Sequence, residues 1–299
     1  MPGIRDLKSR IRSNQSTRKI TRAMQMVSAA KMRKAQTAVM QSRTYSSLAW
    51  ELILNLSSKV RTNGPLMVTY PRAKKVGVVL LGSNRGLVGS LNSNLGPKLK
   101  ELNNAEIISE VTVYGRQAKT VANRTGENIV ADFNKIDKSL TSEDIYPLAK
   151  YITDAYATGE YKSIVIVYNH FVSTLIQKPT VKELLPFMPV ESGVLPEKDA
   201  PVNAEEEVEN RDIETDYLFE PGPRAVLEHL IPRIIESQVY QAVLESDASE
   251  HSARMVMMKN ATEAAGDLIA DLTLTFNQLR QNKITTELAE ITAGRIALE

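Results

Sequence analysis

The run Gly82-Ser-Asn-Arg-Gly86-Leu-Val-Gly89 follows an apolar stretch and precedes a helix-like one. In that position a glycine-rich turn can cradle phosphate on a helix N-terminus. Its spacing, however, is neither the dinucleotide fingerprint nor a P-loop. No Lys-Ser/Thr pair follows, and no acid stands where a ribose hydroxyl would need one. The run therefore reads as a structural turn, with Ser90 or Asn92 available for local hydrogen bonds. A nucleotide-binding enzyme is the rival reading and predicts ATP binding by the chain alone. Cysteine is absent, which excludes disulfides, thiolate nucleophiles and cysteine metal sites. The three histidines, His170, His229 and His251, are scattered, a poor set for a metal. No Ser/His/Asp set or close carboxylate pair converges elsewhere. The sequence leads to no catalytic, cofactor-binding or metal-binding residue.

Charge is the stronger signal. A formal net charge of +2 hides a marked polarity. Residues 1–43 hold eleven Lys or Arg, including Lys31, Arg33 and Lys34, against Asp6 alone, whereas residues 197–220 hold ten acids against Lys198 and Arg211. Two regions so different in charge suit different partners. A basic helix suggests nucleic acid, which keeps a basic coiled-coil nucleic-acid-binding protein as an alternative with steeply salt-dependent affinity. The segment nevertheless lacks the interleaved aromatics of a single-strand binder and any DNA-reading module. Acidic protein surfaces serve equally well. The Arg-rich, acid-poor start has the composition of a transit peptide, but its helical pattern runs on unbroken and is read as mature protein.

Those cations sit on one of two long helical stretches. Ile4–Asn63 and Arg233–Ala293 contain no proline, and only Gly266 interrupts the second. As continuous helices each would span roughly 90 Å, against a diameter of roughly 50 Å for a compact globule of this size. They are expected to form a shaft held by other chains. The second stretch carries a seam: Leu244, Ala248, His251, Met255, Met258, Thr262, Ala265, Ile269, Leu272, Phe276 and Leu279 alternate by four and three. It is a diluted seam, because Ala and Thr bury little. The N-terminal mate is expected to use Ile4, Leu7 and Ile11, then Ile20, Met24 and Val27, then Leu48, Leu52 and Leu56. Ala29, Ala30, Ala35 and Ala38 would allow close backbone approach.

Between the helices the texture changes to short apolar runs separated by turns. Val76–Leu81, Val111–Tyr114 and Ile164–Tyr168 read as buried strands, and Ser139–Ala157 as a helix. This alternation implies an α/β layer with parallel pairing. Thr174–Val190, with Pro179, Pro186 and Pro189, reads as edge strands or a hairpin, the stretch 196–210 as a mobile acidic loop, and Tyr217-Leu-Phe219 as β-like. Inserting this unit between the two helices makes them antiparallel. The expected domains are 1–75, an N-terminal shaft helix and linker; 76–220, the α/β domain; and 221–299, the C-terminal shaft helix. Composition is 42% hydrophobic and 24% charged, and no apolar run reaches transmembrane length.

Four segments carry a family resemblance. They are Lys19-Ile-Thr-Arg-Ala-Met-Gln-Met-Val27 with Ala30-Lys-Met-Arg-Lys34; Ser83-Asn-Arg-Gly-Leu87; Asp216-Tyr-Leu-Phe-Glu-Pro221; and Ala248-Ser-Glu-His-Ser-Ala-Arg-Met255 through Thr262. Together they resemble the gamma subunit of F-type ATP synthase over nearly the whole chain. The family's turn usually reads Ser-Asp-Arg-Gly-Leu-Cys-Gly-Gly, whereas Asn84, Val88 and Ser90 stand here. Without cysteine the chain also lacks the regulatory dithiol of the chloroplast form.

The resemblance implies an α/β fold plus a long antiparallel coiled coil, with the terminal helices as shaft and an inserted Rossmann-like α/β domain. It implies a non-catalytic central-stalk rotor that couples ion translocation to ATP synthesis or hydrolysis. Its partners would be the alpha and beta subunits, epsilon and the c-ring of Fo, with no nucleic acid and peripheral association with the cytoplasmic face of a bacterial plasma membrane. By position, Met24, Lys31, Arg33, Lys34, Arg254, Gln281 and Thr285 would contact the alpha/beta ring. Tyr217 and Glu220 would meet the c-ring, and residues 291–298 would enter an apolar bearing.

Overall fold

A computed structural model of the chain describes residues 3–59, 64–102, 108–136, 140–187, 220 and 222–296. The elements in order are α1 (Ile4–Lys59), β1 (Lys75–Leu81), α2 (Leu95–Leu102), β2 (Ile108–Tyr114), α3 (Arg116–Thr125) and β3 (Asn128–Phe133). There follow α4 (Ser142–Ala157), β4 (Tyr161–Phe171), β5 (Gln177–Leu185) and α5 (Pro223–Ile296). The chain divides into two compact units, Met1–Ala30 with Arg254–Glu299, and Lys31–Ala253.

In the larger unit the five strands lie in the order β3-β2-β1-β4-β5. All pairs are parallel except β4 with β5. Strand alternation sorts the side chains onto two faces. Val76, Val78 and Leu80 of β1 and Val165 and Val167 of β4 pack with Leu95, Leu99 and Val121 of α2 and α3. The residues between them, Val79 and Leu81 of β1 and Ile164 and Ile166 of β4, pack with α4 and α5. Both faces are covered, which is why the central strands read as unbroken apolar runs.

Two features differ from the sequence reading. Strand β3 was not expected: it is a six-residue edge strand whose residues alternate exposed and half-buried, so it lacks an apolar run. Helix α5 starts at Pro223, not Arg233, and carries Pro232 inside it. A proline at the first helical position loses nothing, because its missing N–H would have had no intrahelical partner. As expected of an edge strand or hairpin, the described part of 174–190 supplies β5, antiparallel to β4 at the sheet edge, where Pro179 is tolerated. The acidic loop 196–210 and the β-like run 217–219 lie outside the described residues.

In the smaller unit α1 and α5 pair antiparallel. Thr21 Oγ1 lies 2.8 Å from Thr262 Oγ1, and Arg18 lies against Gly266, so ascending numbers on one helix meet descending numbers on the other. On α5 the expected seam holds: Met258 and Ala265 are buried, and Met255, Thr262, Ile269, Leu272, Phe276 and Leu279 half-buried. On α1 the start matches at Ile4, Leu7 and Ile11, and Met24 in the middle is half-buried, but Ile20 and Val27 do not follow. Ile20 and Val27 are exposed by 60% and 57%, and the covered positions are Thr21 and Ser28. Counting by threes and fours from Leu7 leads to Thr21 and Ser28, so the seam continues through hydroxyls and turns the two aliphatic residues outward.

Farther along α1, in the larger unit, Met32 and Val39 are buried, while Leu48 is exposed by 58% instead of closing a seam. The side chains of Leu52 and Leu56 lie outside the described residues. Ala29, Ala35 and Ala38 are half-buried and Ala30 is exposed.

Candidate functional site

The glycine turn sits where a phosphate site would be sought, at the carboxyl end of β1 beside the point where strand order reverses between β1 and β4. Its polar groups are spent within the fold. Asn92 accepts from Ser83 N at 3.1 Å and donates to Ser83 Oγ at 2.8 Å, as expected for Asn92. Ser83 Oγ donates to Arg85 O at 2.8 Å, and Asn84 Nδ2 to Lys135 O at 2.7 Å. The first amides of α3 are turned inward as well: Gln117 N donates to Ser83 O at 2.9 Å.

The contact between turn and helix is tight enough to demand glycine. A Cβ on Gly82 would lie 2.5 Å from Ala118 N, and one on Gly115, whose φ is +95°, 2.5 Å from Gly82 O. Asn169 Nδ2 reaches Leu91 O at 3.2 Å, and Val88 and Leu91 pack with Ala253. The turn thus fills the switch point with its own chain.

The remaining candidates lie on the long helices. Lys31, Arg33 and Lys34 are exposed on α1, as are Arg5, Lys8, Arg12, Arg18, Lys19 and Arg22. Bare apolar side chains stand among these cations: Ile20, Met26, Val27 and Met40, each at least 57% exposed. Met24 is half-buried. On α5, Arg254 is buried, whereas Gln281 and Thr285 are exposed, the Thr285 hydroxyl donating to Gln281 O at 3.0 Å. Residues 280–293 are all exposed, and Ile284, Leu288 and Ile291 form an apolar stripe at helical spacing. Glu220 is exposed; Tyr217 lies outside the described residues.

Cations flanked by uncovered aliphatic side chains on one helix have the chemistry to meet an acidic, partly apolar protein surface. The sequence reading missed Ile20 and Val27 as surface residues because it placed them in the seam; the heptad count from Leu7 is the signal that finds them. It also missed a buried ionic cluster in the larger unit. Lys135 Nζ lies 2.5 Å from Asp247 and 2.6 Å from Glu250. Burial opposes the lysine's charge, but the two carboxylates overcome it and raise its pKa. Beside them burial pushes the Tyr114 hydroxyl up to about 12, with the Asp247 charge adding to it. No spacing signal joins residues more than a hundred positions apart. Among the described residues no group of three or more acids or histidines is placed to hold a metal, and no helix is long and apolar enough to cross a membrane.

The profile of the family described as ATP synthase matches residues 3–298. The chain is 38% identical over 309 residues to the ATP synthase gamma chain of Chloroflexus aurantiacus, covering 100% of this chain and 99% of that one. It is 38% identical over 300 residues to the gamma chain of Pelotomaculum thermopropionicum, covering both chains completely. Among solved structures it is similar to a chain of the Euglena gracilis mitochondrial ATP synthase (OSCP/F1/c-ring), with a TM-score of 0.68 and 22% identity over 99% of this chain and 94% of that one. A chain of the Tetrahymena thermophila mitochondrial ATP synthase central stalk and c-ring gives 0.57, again at 22% identity, over 81% and 99%. At that identity the structures speak for the fold alone.

Proposed function

This chain belongs to the ATP synthase gamma-chain family, and from that premise we infer how it works as the central-stalk rotor that couples ion translocation to ATP synthesis or hydrolysis. The alpha and beta subunits form the sleeve around the helical pair, and epsilon and the c-ring of Fo meet the foot. The chain makes and breaks no bond itself. As it turns, each catalytic site faces a different side of it, and the open and closed beta conformations change population in sequence.

The observation that carries this reading is the stretch 280–293, exposed throughout and bearing the stripe Ile284, Leu288 and Ile291. An apolar stripe that the chain leaves uncovered fits a bearing formed by other subunits. In the same frame Met24, Lys31, Arg33, Lys34, Gln281 and Thr285 contact the alpha/beta ring, whereas Arg254, expected there by resemblance, is buried within this chain, and Tyr217 and Glu220 meet the polar loops of the c-ring. Functionally, 1–75 and 221–299 serve as shaft and 76–220 as the inserted body. The complex sits on the cytoplasmic face of a bacterial plasma membrane. A tagged chain purified from its own cells should bring alpha and beta ATPase subunits with it. Their absence, together with salt-sensitive DNA binding, would overturn this in favour of the nucleic-acid reading.

A further inference from the structure

Within the larger unit α5 is seated on the sheet in two chemically different ways. Up to Val243 the seat is apolar, made by Leu227, Ile231, Ile235, Val239 and Val243. From Glu245 to Ser252 it is polar yet equally buried: Glu245, Ser249, Glu250 and Ser252 are all at most 6% exposed. Each of these has a partner outside the helix. Glu245 Oε2 lies 2.6 Å from His170 Nδ1. Ser249 Oγ donates to Asn169 O at 2.9 Å, and Ser252 Oγ to Thr174 O at 2.6 Å. Lys135 bridges Asp247 and Glu250.

The partners grip from two sides. With 3.6 residues per turn, Glu245, Ser249 and Ser252 fall on one stripe of α5, and Asp247 and Glu250 point roughly 140–200° round from Glu245. The first stripe is held by the end of β4 and the turn after it, the second by the segment after β3.

Apolar contact is non-directional, so a helix seated only on aliphatic side chains can twist or slide a little at small cost. Hydrogen bonds weaken steeply with misalignment, and a buried carboxylate that loses its cation is strongly disfavoured. We propose that this two-sided polar grip on residues 245–252 fixes the rotational setting of α5 against the sheet, with Lys135 as its positioning residue, so that torque applied to the sheet unit is delivered into α5 and not lost as twist. The proposal rests on the rotor reading above.

The test uses the chain assembled with its alpha and beta subunits. A bead is tethered through Asn123→Cys, an exposed site on α3, and its angular variance is measured while rotation waits for ATP. Lys135→Met is expected to broaden the variance at least twofold, with ATP hydrolysis within twofold of wild type, and Lys135→Arg to restore it. Mere destabilisation would lower the yield of assembled complex without changing the variance of the rotors that do assemble. Equal variance in Lys135→Met and wild type overturns the proposal. Should Lys135→Met not assemble, Glu250→Gln and Ser249→Ala carry the same measurement, and unchanged variance in both overturns it. Failure of the wild-type chain to assemble at all would instead overturn the rotor reading.

Discussion

At the scale of the residue, Met24 and Glu110 make opposite use of polarity. Met24 is a half-buried thioether on a helix crowded with cations, and a neutral, flexible side chain is passed by neighbours without a fixed ion pair. A lysine there would add a charge-assisted hydrogen bond to an acid on the beta subunit, about 1.5–3 kcal/mol at some rotor angles and absent at others. Met24→Lys is expected to assemble but to lower coupling, more so in the cold, while Met24→Leu is nearly silent. ATP hydrolysis and ATP-driven proton pumping, followed across temperature, check this; equal losses in both variants would make packing the cause. Glu110 instead is pinned: Tyr161 Oη donates to it at 2.6 Å, and Lys75 stands 3.1 Å away. The tyrosine's hydrogen bond, against burial and helped by Lys75, holds this carboxyl below its ordinary 4.5. A carboxyl lowered by folding stabilises the fold fully above its ordinary value, and that contribution disappears as pH falls through the lowered one. Glu110→Gln should therefore reduce the urea midpoint at pH 7, and its difference from wild type should shrink as pH falls below 4.5. A difference unchanged in acid would assign the loss to packing.

At the scale of the element, two glycines that look alike in the sequence have contrary roles. At Gly82 a methyl group would strike the backbone of Ala118 at 2.5–2.9 Å. Gly82→Ala should cost about 2–3 kcal/mol, because strand and helix must part to admit it. At Gly266 the nearest atoms to an added methyl belong to Arg18 at 3.6–3.8 Å, an ordinary contact. Gly266→Ala should therefore stabilise α5 by roughly 0.5–1 kcal/mol through helix propensity. Denaturant titrations of both variants check the two signs. The same contrast between pattern and contact governs how far the sequence can be read. The α5 seam and the strands β1 and β4 were legible because burial is repetitive there. The middle of α1 was not, because its seam continues through Thr21 and Ser28, residues that no apolar pattern marks. Strand β3 is short and only half covered, and Pro232 concealed the true start of α5. Lys135 and its carboxylates meet only through the tertiary fold, so nothing local announces them. Gln281 and Thr285 are proposed by resemblance alone, since an exposed polar residue on a helix carries no pattern of its own.

At the scale of the whole molecule, the question is what the chain leaves uncovered. Ile284, Leu288 and Ile291 are 49–68% exposed, so replacing all three by serine removes little that holds the chain itself together. The triple variant should keep the urea midpoint of wild type, resist aggregation better when alone at micromolar concentration, and bind the alpha and beta subunits at least about tenfold more weakly, since burying one aliphatic side chain contributes about 1.5–3 kcal/mol. Light scattering of the free chain and co-purification from cells measure the two effects. A variant that assembles as well as wild type would remove the stripe from the bearing.

The order of the chain also sets a timetable for its synthesis. The first half of the coiled coil, residues up to Ala30, must wait for a mate that begins at Arg254. At 5–20 residues per second, the intervening stretch takes the ribosome roughly 10–45 s to make. Throughout that interval the leading helix has no seam partner. A zipper with leucine at each seam position would spend those seconds as a sticky apolar rod beside its neighbours on the same messenger. A helix with Thr21 and Ser28 in its seam and a cordon of like-charged lysines and arginines along its flanks keeps nascent copies apart until the far end arrives.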